Sequence, residues 1–395
     1  MSDAALVINA GSSSLKFSIY REEDEGRELH QALAGAVTGI GDAPRFQARG
    51  PGDRAVTGPD LDDVGDERTR LIDRVIDWLE ERAQETGTLR AAGHRVVHGG
   101  EQYDVPVRID DEVLERLDRL TPLAPLHQPY NLEPVRRLRQ AHPRLLQVAC
   151  FDTSFHRSQP EVAQWFAIPR HYRDEGVLRY GFHGLSYEYI ARRLAHLDPV
   201  AAEGRSVVAH LGHGASLCAL KNGRSIATTM GFTALDGLPM GRRCGSLDPG
   251  VVLYLIGEKG MSVKEVETLL YRESGLYGFS GISDDMHELL ECSIPAAREA
   301  IELFCYRVVR EIGSMVAALG GIDALVFTGG IGEHAAAVRG RVVESLGWLG
   351  AKLDEDANDR NDIDIAAPQS ALNLLEIPTD EERMIAEHTL ELARQ

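Results

Sequence analysis

Two stretches of the chain share one hydrophobic pattern. In the first, Leu6, Val7 and Ile8 form an apolar run, and Leu15, Phe17 and Ile19 then alternate with polar residues. Asn9, Gly11, Ser12, Ser13 and Ser14 lie between them. A period of two beside a polar, glycine-bearing segment predicts strand, tight turn, strand. In the second, the apolar run 207–211 leads through Gly212-His213-Gly214 into another, 215–220, and Asn222-Gly223 marks a hairpin before a further strand. Either turn alone reads as an ordinary hairpin. At the heads of two halves, together, they predict a duplicated α/β domain with a nucleotide held between the copies. Glycine lets the backbone turn sharply, and successive N–H groups and hydroxyls then converge on an anion.

The other periodicities fill in the halves. Residues 21–66 mix charges with Gly and Pro and predict further strands and loops of one sheet. Residues 69–82 predict an amphipathic helix, with Ile72, Val75, Ile76 and Leu79 on one face. A strand ending in Gly99-Gly100 follows, then a short helix over 110–120 and a proline-stiffened loop over 121–129. The apolar run 145–151 predicts a buried strand that delivers Asp152 at its end. Residues 201–204 read as a surface turn and 296–318 as a long helix. A strand over 323–328 runs into Gly329-Gly330-Ile331-Gly332-Glu333, and a helix follows over 338–346. Thr379-Asp380-Glu381-Glu382 opens a last helix with a capping-box-like start.

Length and charge narrow the picture. At 395 residues the chain suits two domains. We place them at 1–150, completed by a returning helix over 380–395, and at 151–379. A net charge of −19 without a basic cluster excludes nucleic acid and anionic membranes as partners but leaves small anions open. The five cysteines are scattered without Cys-x-x-Cys spacing, which predicts a reducing cytoplasm and neither a zinc site nor a disulfide framework. No signal peptide is read before the first strand. The most apolar stretch, 312–332, is broken by Gly313, Gly320, Gly321 and Asp323, so it predicts a helix end, a turn and a buried strand, and no membrane span.

Candidate chemistry lies in a few residues. Arg95 sits among apolar neighbours in a strand, and Arg243 in a glycine-rich loop. A guanidinium in such a setting meets an anion or an internal carboxylate, and its planar fork suits carboxylate or phosphate. Arg179 reads as structural. His183 is flanked by glycines in Gly181-Phe182-His183-Gly184. Asp152 at a strand end and Glu381 could both serve Mg²⁺, or a helix cap or loop.

These motifs resemble those of the acetokinase family, within the actin and sugar-kinase superfamily. The likeness runs nearly end to end: Asn9-Ala-Gly-Ser-Ser-Ser-Leu-Lys16, Gly93-His-Arg-Val-Val-His-Gly-Gly100, Phe151-Asp-Thr-Ser-Phe-His156, Tyr180-Gly-Phe-His-Gly184, His210-Leu-Gly, Met230-Gly-Phe-Thr, Gly329-Gly-Ile-Gly-Glu333 and Thr379-Asp-Glu-Glu382. The resemblance implies two duplicated ribonuclease H-like domains of the actin/sugar-kinase type with an interdomain cleft, and a homodimer formed through the C-terminal domain. It also implies Mg²⁺-dependent (alternatively Mn²⁺-dependent), reversible, in-line transfer of a phosphoryl group from ATP to acetate, giving ADP and acetyl phosphate. A propionate kinase of the same family is the alternative. Carried over residue by residue, Asn9, Arg95 and Arg243 would hold the acyl phosphate or carboxylate, and His183 the transferring phosphoryl group. Asp152, Glu381 and Asn9 would act around the metal. Ser12, Ser14 and Lys16 would organise the phosphate side. His210, Leu211, Gly212, His213 and Gly214 would line the nucleotide phosphates, Asp285 and Gly332 the adenosine end with His287 near the adenine, and Met286, Gly330, Ile331 and Glu333 would also bind the nucleotide or its phosphates. Val97, Leu126, Phe182 and Ala234 would wall the acyl methyl group.

Four positions depart from the family pattern. His213 stands where Asn is usual, His287 where Arg is usual, Arg242 in place of Thr and Ala234 in place of Pro. The first two predict altered nucleotide contacts, and with them an open choice among ATP, GTP and pyrophosphate. The last removes wall volume, and because a methylene in an apolar pocket is worth about 1–3 kcal/mol, it predicts better acceptance of propionate than in typical relatives.

Overall fold

A computed structural model describes residues 3–22, 28–61 and 67–395. Residues 23–27 and 62–66, part of the expected sheet-and-loop segment, lie outside the described residues. The chain divides into two compact units: residues 1–154 with 380–395, and residues 155–379. The change of unit therefore falls after Ser154 rather than at 150.

The first unit contains strands β1 (Asp3–Ala10), β2 (Ser14–Glu22), β3 (Leu29–Thr38), β4 (Arg45–Gly50), β5 (Arg54–Ala55), β6 (Thr88–Val96), β7 (Val107–Arg108) and β8 (Leu146–Phe151), with helices α1 (Arg68–Thr86), α2 (Asp111–Arg119) and α3 (Gln128–Ala141). Its sheet runs β5-β4-β3-β2-β1-β6-β8-β7. Helix α1 buries Ile72, Val75, Ile76 and Leu79 in one core with Leu6, Ile8 and Phe17 of the sheet. A second cluster joins Val96 and Phe151 to Leu117 of α2 and to Leu132 and Val135 of α3.

Helix α3 is the element the prolines conceal. Residues 121–123 form a single 3₁₀ turn, and α3 starts at Gln128 with Pro129 in its first turn, where no intrahelical N–H is needed. Pro134 sits inside the helix, and its lost hydrogen bond is offset by burial of Leu132, Val135 and Leu138.

The second unit contains helices α4 (Glu161–Gln164), α5 (Arg170–Asp174), α6 (Gly184–Leu197) and α7 (Pro199–Glu203), strands β9 (Arg205–Leu211), β10 (Ala215–Lys221) and β11 (Arg224–Thr228), helices α8 (Pro249–Gly257), α9 (Val263–Arg272), α10 (Gly275–Ser280), α11 (Met286–Glu291) and α12 (Pro295–Leu319), then β12 (Ala324–Thr328), α13 (Gly329–His334), α14 (Ala336–Ser345), α15 (Glu355–Asp359) and β13 (Asn373–Glu376). The expected turn at 201–204 is thus the end of α7. The expected glycine turn after β12 is itself helical, as α13. Asn222 and Gly223 turn β10 into β11 with φ of 52° and 67°, the left-handed pair that a two-residue hairpin needs.

The second sheet runs β11-β10-β9-β12-β13. Its neighbours pair antiparallel, antiparallel, parallel, parallel. In the first sheet, β3-β2-β1-β6-β8 pair in the same sequence. This repeated order is the ribonuclease H-like duplication.

The chain then returns to the first unit as α16 (Glu381–Arg394). Asp380, not Thr379, caps it, its carboxylate accepting from the Arg383 N–H at 2.9 Å. The Thr379 hydroxyl donates instead to Ser186. Among the described residues, no helix is long and apolar enough to cross a membrane.

Candidate active site

In the first unit, the hairpin register sets Asn9 opposite Lys16. The turn between them closes on itself, Gly11 N–H donating to Ser14 O at 2.8 Å. Its carbonyls are held from outside: Gly11 O and Ser12 O each accept from the Arg68 guanidinium at 2.9 Å. Arg68 is fixed in turn by Glu133 at 2.6 Å and by the Tyr130 ring. Sequence reasoning missed Arg68, because its partners come from α3. Ser12 and Lys16 are exposed and Ser14 half-buried.

Strands β6 and β8 run parallel and deliver Arg95 and Asp152 side by side. Arg95 Nε and Nη2 donate to Asp152 Oδ1 and Oδ2 at 2.9 and 2.6 Å, and Nη1 to Asn9 Oδ1 at 3.4 Å. Glu381 Oε2 lies 3.8 Å from Arg95 Nε. The structure thus brings Asn9, Arg95, Asp152 and Glu381 together, but commits two of the arginine's N–H directions to Asp152. The Asp152 side chain is 1% exposed and that of Arg95 26%. Burial opposes the charge on Arg95, but Asp152 and Glu381 outweigh it and hold the guanidinium firmly protonated. Burial pushes the Glu381 carboxyl above its ordinary value. Arg95 pulls it back, Asp152 pushes again, and the net direction is upward. Glu382 is raised by burial and then by Glu381.

Asp152 and Glu381 thus both flank the Arg95 guanidinium. Among the described residues, no three His, Cys, Asp or Glu side chains form a metal cage. The expected donors, two carboxylates and the Asn9 amide oxygen, all lie about Arg95. This hard-oxygen set suits a Mg²⁺-type ion, which takes one or two carboxylates and completes its shell with water and substrate phosphate.

Val97 is buried and its N–H donates to Asn131 Oδ1 at 2.9 Å, while Asn131 Nδ2 donates to Ala10 O. Leu126 is half-buried in the turn before α3.

In the second unit, His183 adopts the left-handed conformation (φ 60°) at the start of α6. Its Nδ1 lies 2.8 Å from Ser216 Oγ, which also meets the Tyr187 hydroxyl at 2.5 Å. Its ring stacks on His210 at 4.3 Å, and His210 Nδ1 meets Ser186 Oγ. Gly214 backs onto this group. A Cβ there would stand 2.9 Å from Arg243 Nη2 and 3.1 Å from His183 Nε2, so Arg243 and His183 converge on the β9–β10 turn.

Arg243 Nη1 donates to Ala234 O at 2.6 Å. Ala234, expected as an acyl wall, thus also anchors the arginine through its backbone. Arg179 pairs with Asp236 at 2.8 Å, a structural role as expected. Phe182 is buried, its carbonyl 2.9 Å from His156 Nε2.

A cavity of about 500 Å³ opens beside this turn. Gly212, His213, Asp285, Met286, His287, Gly330 and Ile331, all residues expected about a nucleotide, line it; Asp284, Leu290, His334 and Ala335 line it too and were not foreseen. Three further residues expected there make scaffold contacts. The Leu211 side chain is fully buried in the core. Glu333 Oε1 accepts from the Gly329 and Thr379 N–H groups at 2.8 and 3.1 Å, and the Gly332 carbonyl accepts from buried Arg339. Gly329 itself must be glycine: its φ is 75°, and a Cβ would stand 2.8 Å from Leu211 O. Asp285 caps α11 by accepting from the His287 N–H at 2.7 Å, and the exposed His287 faces Glu291 at 3.7 Å.

The family model of the acetokinase family matches residues 4–387. The chain belongs to the acetokinase family. This acetokinase is 54% identical over 396 residues to an acetate kinase of Rhodopseudomonas palustris (strain TIE-1), covering 100% of this chain and 99% of that one. It is 49% identical to an acetate kinase of Rhizobium meliloti, covering 99% and 98%. Among solved structures, a propionate kinase from Francisella tularensis superposes with a TM-score of 0.90 at 34% identity, covering 98% of this acetokinase and 99% of that chain. An acetate kinase of Porphyromonas gingivalis gives 0.86 at 33% identity, covering 99% of each.

Proposed function

We propose that this acetokinase transfers the terminal phosphoryl group of ATP to acetate, reversibly and in line. The observation that carries the reading is the convergence of Arg243 and His183 on the Gly212–Gly214 turn, in a chain similar along its whole length to acetate kinases. A carboxylate oxygen of acetate forms the new P–O bond while the bond to the ADP oxygen breaks. Both reactants are anions, so the protein's work is to offset their repulsion and align them. Arg243 and His183 supply the positive and hydrogen-bonding groups for the phosphoryl oxygens. Arg95, aligned by Asp152, offers its Nη1 edge to the acyl group. Acetate is already ionised near neutrality, so no strong general base is needed, and Asp152 serves orientation.

The family implies ATP or ADP and a divalent metal. We assign Mg²⁺, with Mn²⁺ as its alternative, to Asn9, Asp152 and Glu381. Such an ion neutralises charge on phosphate oxygens when bound. The cavity beside Gly212 and Gly330 takes the nucleoside end.

A second copy of the chain is proposed to cover α8. This apolar helix buries none of its residues within one chain, and Leu253 and Tyr254 are 71% and 51% exposed. Five free thiols accord with a reducing cytoplasm.

A propionate kinase is the second reading, favoured by the small side chain of Ala234 and by the Francisella neighbour. Trapping acyl phosphate as the hydroxamate, with acetate, propionate and butyrate against ATP and pyrophosphate, tests both. Acetate with ATP is expected to give the highest kcat/KM. A higher value with propionate would replace the reading, and no hydroxamate with any acid would remove it.

A further inference from the structure

Asp284 lies on the wall of the nucleotide cavity, and one of its oxygens is shared. Arg242 Nε donates to Asp284 Oδ2 at 2.6 Å, and His213 Nε2 lies 3.5 Å from the same atom. The Arg242 guanidinium also covers the Tyr277 ring, its carbon 4.4 Å from the centroid. The two residues that meet on Asp284 belong to the two segments flanking the Arg243 guanidinium. Arg242 precedes Arg243 in its loop. His213 precedes Gly214, the residue against which Arg243 Nη2 and His183 Nε2 rest. The segments also touch directly, Gly241 N–H donating to His213 O at 3.2 Å. Both contacts to Asp284 use side chains that depart from the family pattern.

We propose that Asp284 is a positioning residue for Arg243, holding the arginine loop and the Gly212–Gly214 turn in register through a single carboxylate oxygen. The inference rests on the reading of Arg243 given above. The Asp284 carboxylate also leaves Arg242 neutralised at the cavity rim, so that Arg243 is the guanidinium presented toward His183. A change on the nucleotide wall should therefore be felt in the kinetics of the acyl substrate.

The test is a double-mutant cycle on the full chain, with acetate and ATP varied separately and the melting temperature of each variant recorded. Asp284→Ala is expected to lower kcat/KM for acetate by about three- to tenfold, the size of coupling usual between contacting residues. Asp284→Asn, whose amide oxygen still accepts from Arg242, should lose less. In an Arg242→Thr background, Asp284→Ala should add little further loss. An equal loss in both backgrounds, a loss confined to KM for ATP, or a lowered melting temperature with unchanged acetate kinetics would overturn the proposal. Arg243→Ala separates the two levels. If it leaves acetate kinetics intact, the underlying reading fails; if it abolishes turnover while Asp284→Ala changes nothing, only the role of Asp284 falls.

Discussion

Arg95 and Arg339 carry buried charge in opposite ways. Arg95 meets a carboxylate two-pronged, whereas Arg339, with no exposed surface, gives its N–H groups to neutral acceptors: Asn358 Oδ1 and O, Asn361 Oδ1, and the carbonyls of Gly332 and Glu333. The first arrangement fixes the direction of a half-buried guanidinium, and the second fixes the end of α13. Gly214 shows how little room Arg243 and His183 leave. Its backbone lies outside the left-handed region, so alanine is conformationally allowed, yet the new methyl would press on Arg243 and His183. Gly214→Ala is expected to cut kcat/KM by about 100-fold, as misplacement by an ångström does, with little change in melting temperature. A variant with near-normal turnover would show that the two side chains yield without cost. The motif residues around this point were legible because they cluster in sequence. Arg68, Asp284 and Arg339 were not: the first two act on segments far away in the chain, and none of the three carries a local signature.

At the level of elements, the hairpins, α1, α12 and the strand before Asp152 were readable from period and burial alone. The losses have one physical source: local signals that tertiary packing overrides. Prolines near 129 and 134 argue against α3, yet its buried face and the amide of Asn131 hold β1 and Val97 in place. Glycines after β12 argue for a turn, yet Glu333 and Arg339 fasten them as α13. Gly93 in β6 belongs to the same class. A Cβ there would stand 2.2 Å from Thr389 Oγ1 and 2.5 Å from Ile385 Cγ2, so glycine is what lets α16 lie on the sheet. Gly93→Ala should destabilise the protein by about 1–3 kcal/mol through overpacking, measured by urea unfolding. Unchanged stability would mean that α16 shifts freely.

For the molecule as a whole, pH acts through buried groups more than through the net charge of −19. Burial, opposed by Arg339 and reinforced by Glu333, raises Glu376 from 4.5 to about 7. A carboxyl raised in the fold contributes stability that is complete below the unfolded value and is lost as pH climbs through the folded one. His94 has the opposite sign: burial lowers it from 6.5 to about 4, so its contribution disappears as pH falls toward 4. The stability of wild type relative to Glu376→Gln should therefore fall steadily between pH 4.5 and about 7 and level off above. A difference constant across that window would show that Glu376 ionises in the fold as readily as in the unfolded chain.

The placement of α16 bears on how the protein is made. On a ribosome, Asp152 emerges 57 residues after Arg95, and their strands can then pair. Glu381 follows only after the whole of the second unit has been translated. Until then Gly93 faces no helix, and the Arg95–Asp152 pair waits without its third partner. In a nascent chain the first unit is thus completed only after the second has been made, an ordering that comes from connectivity alone.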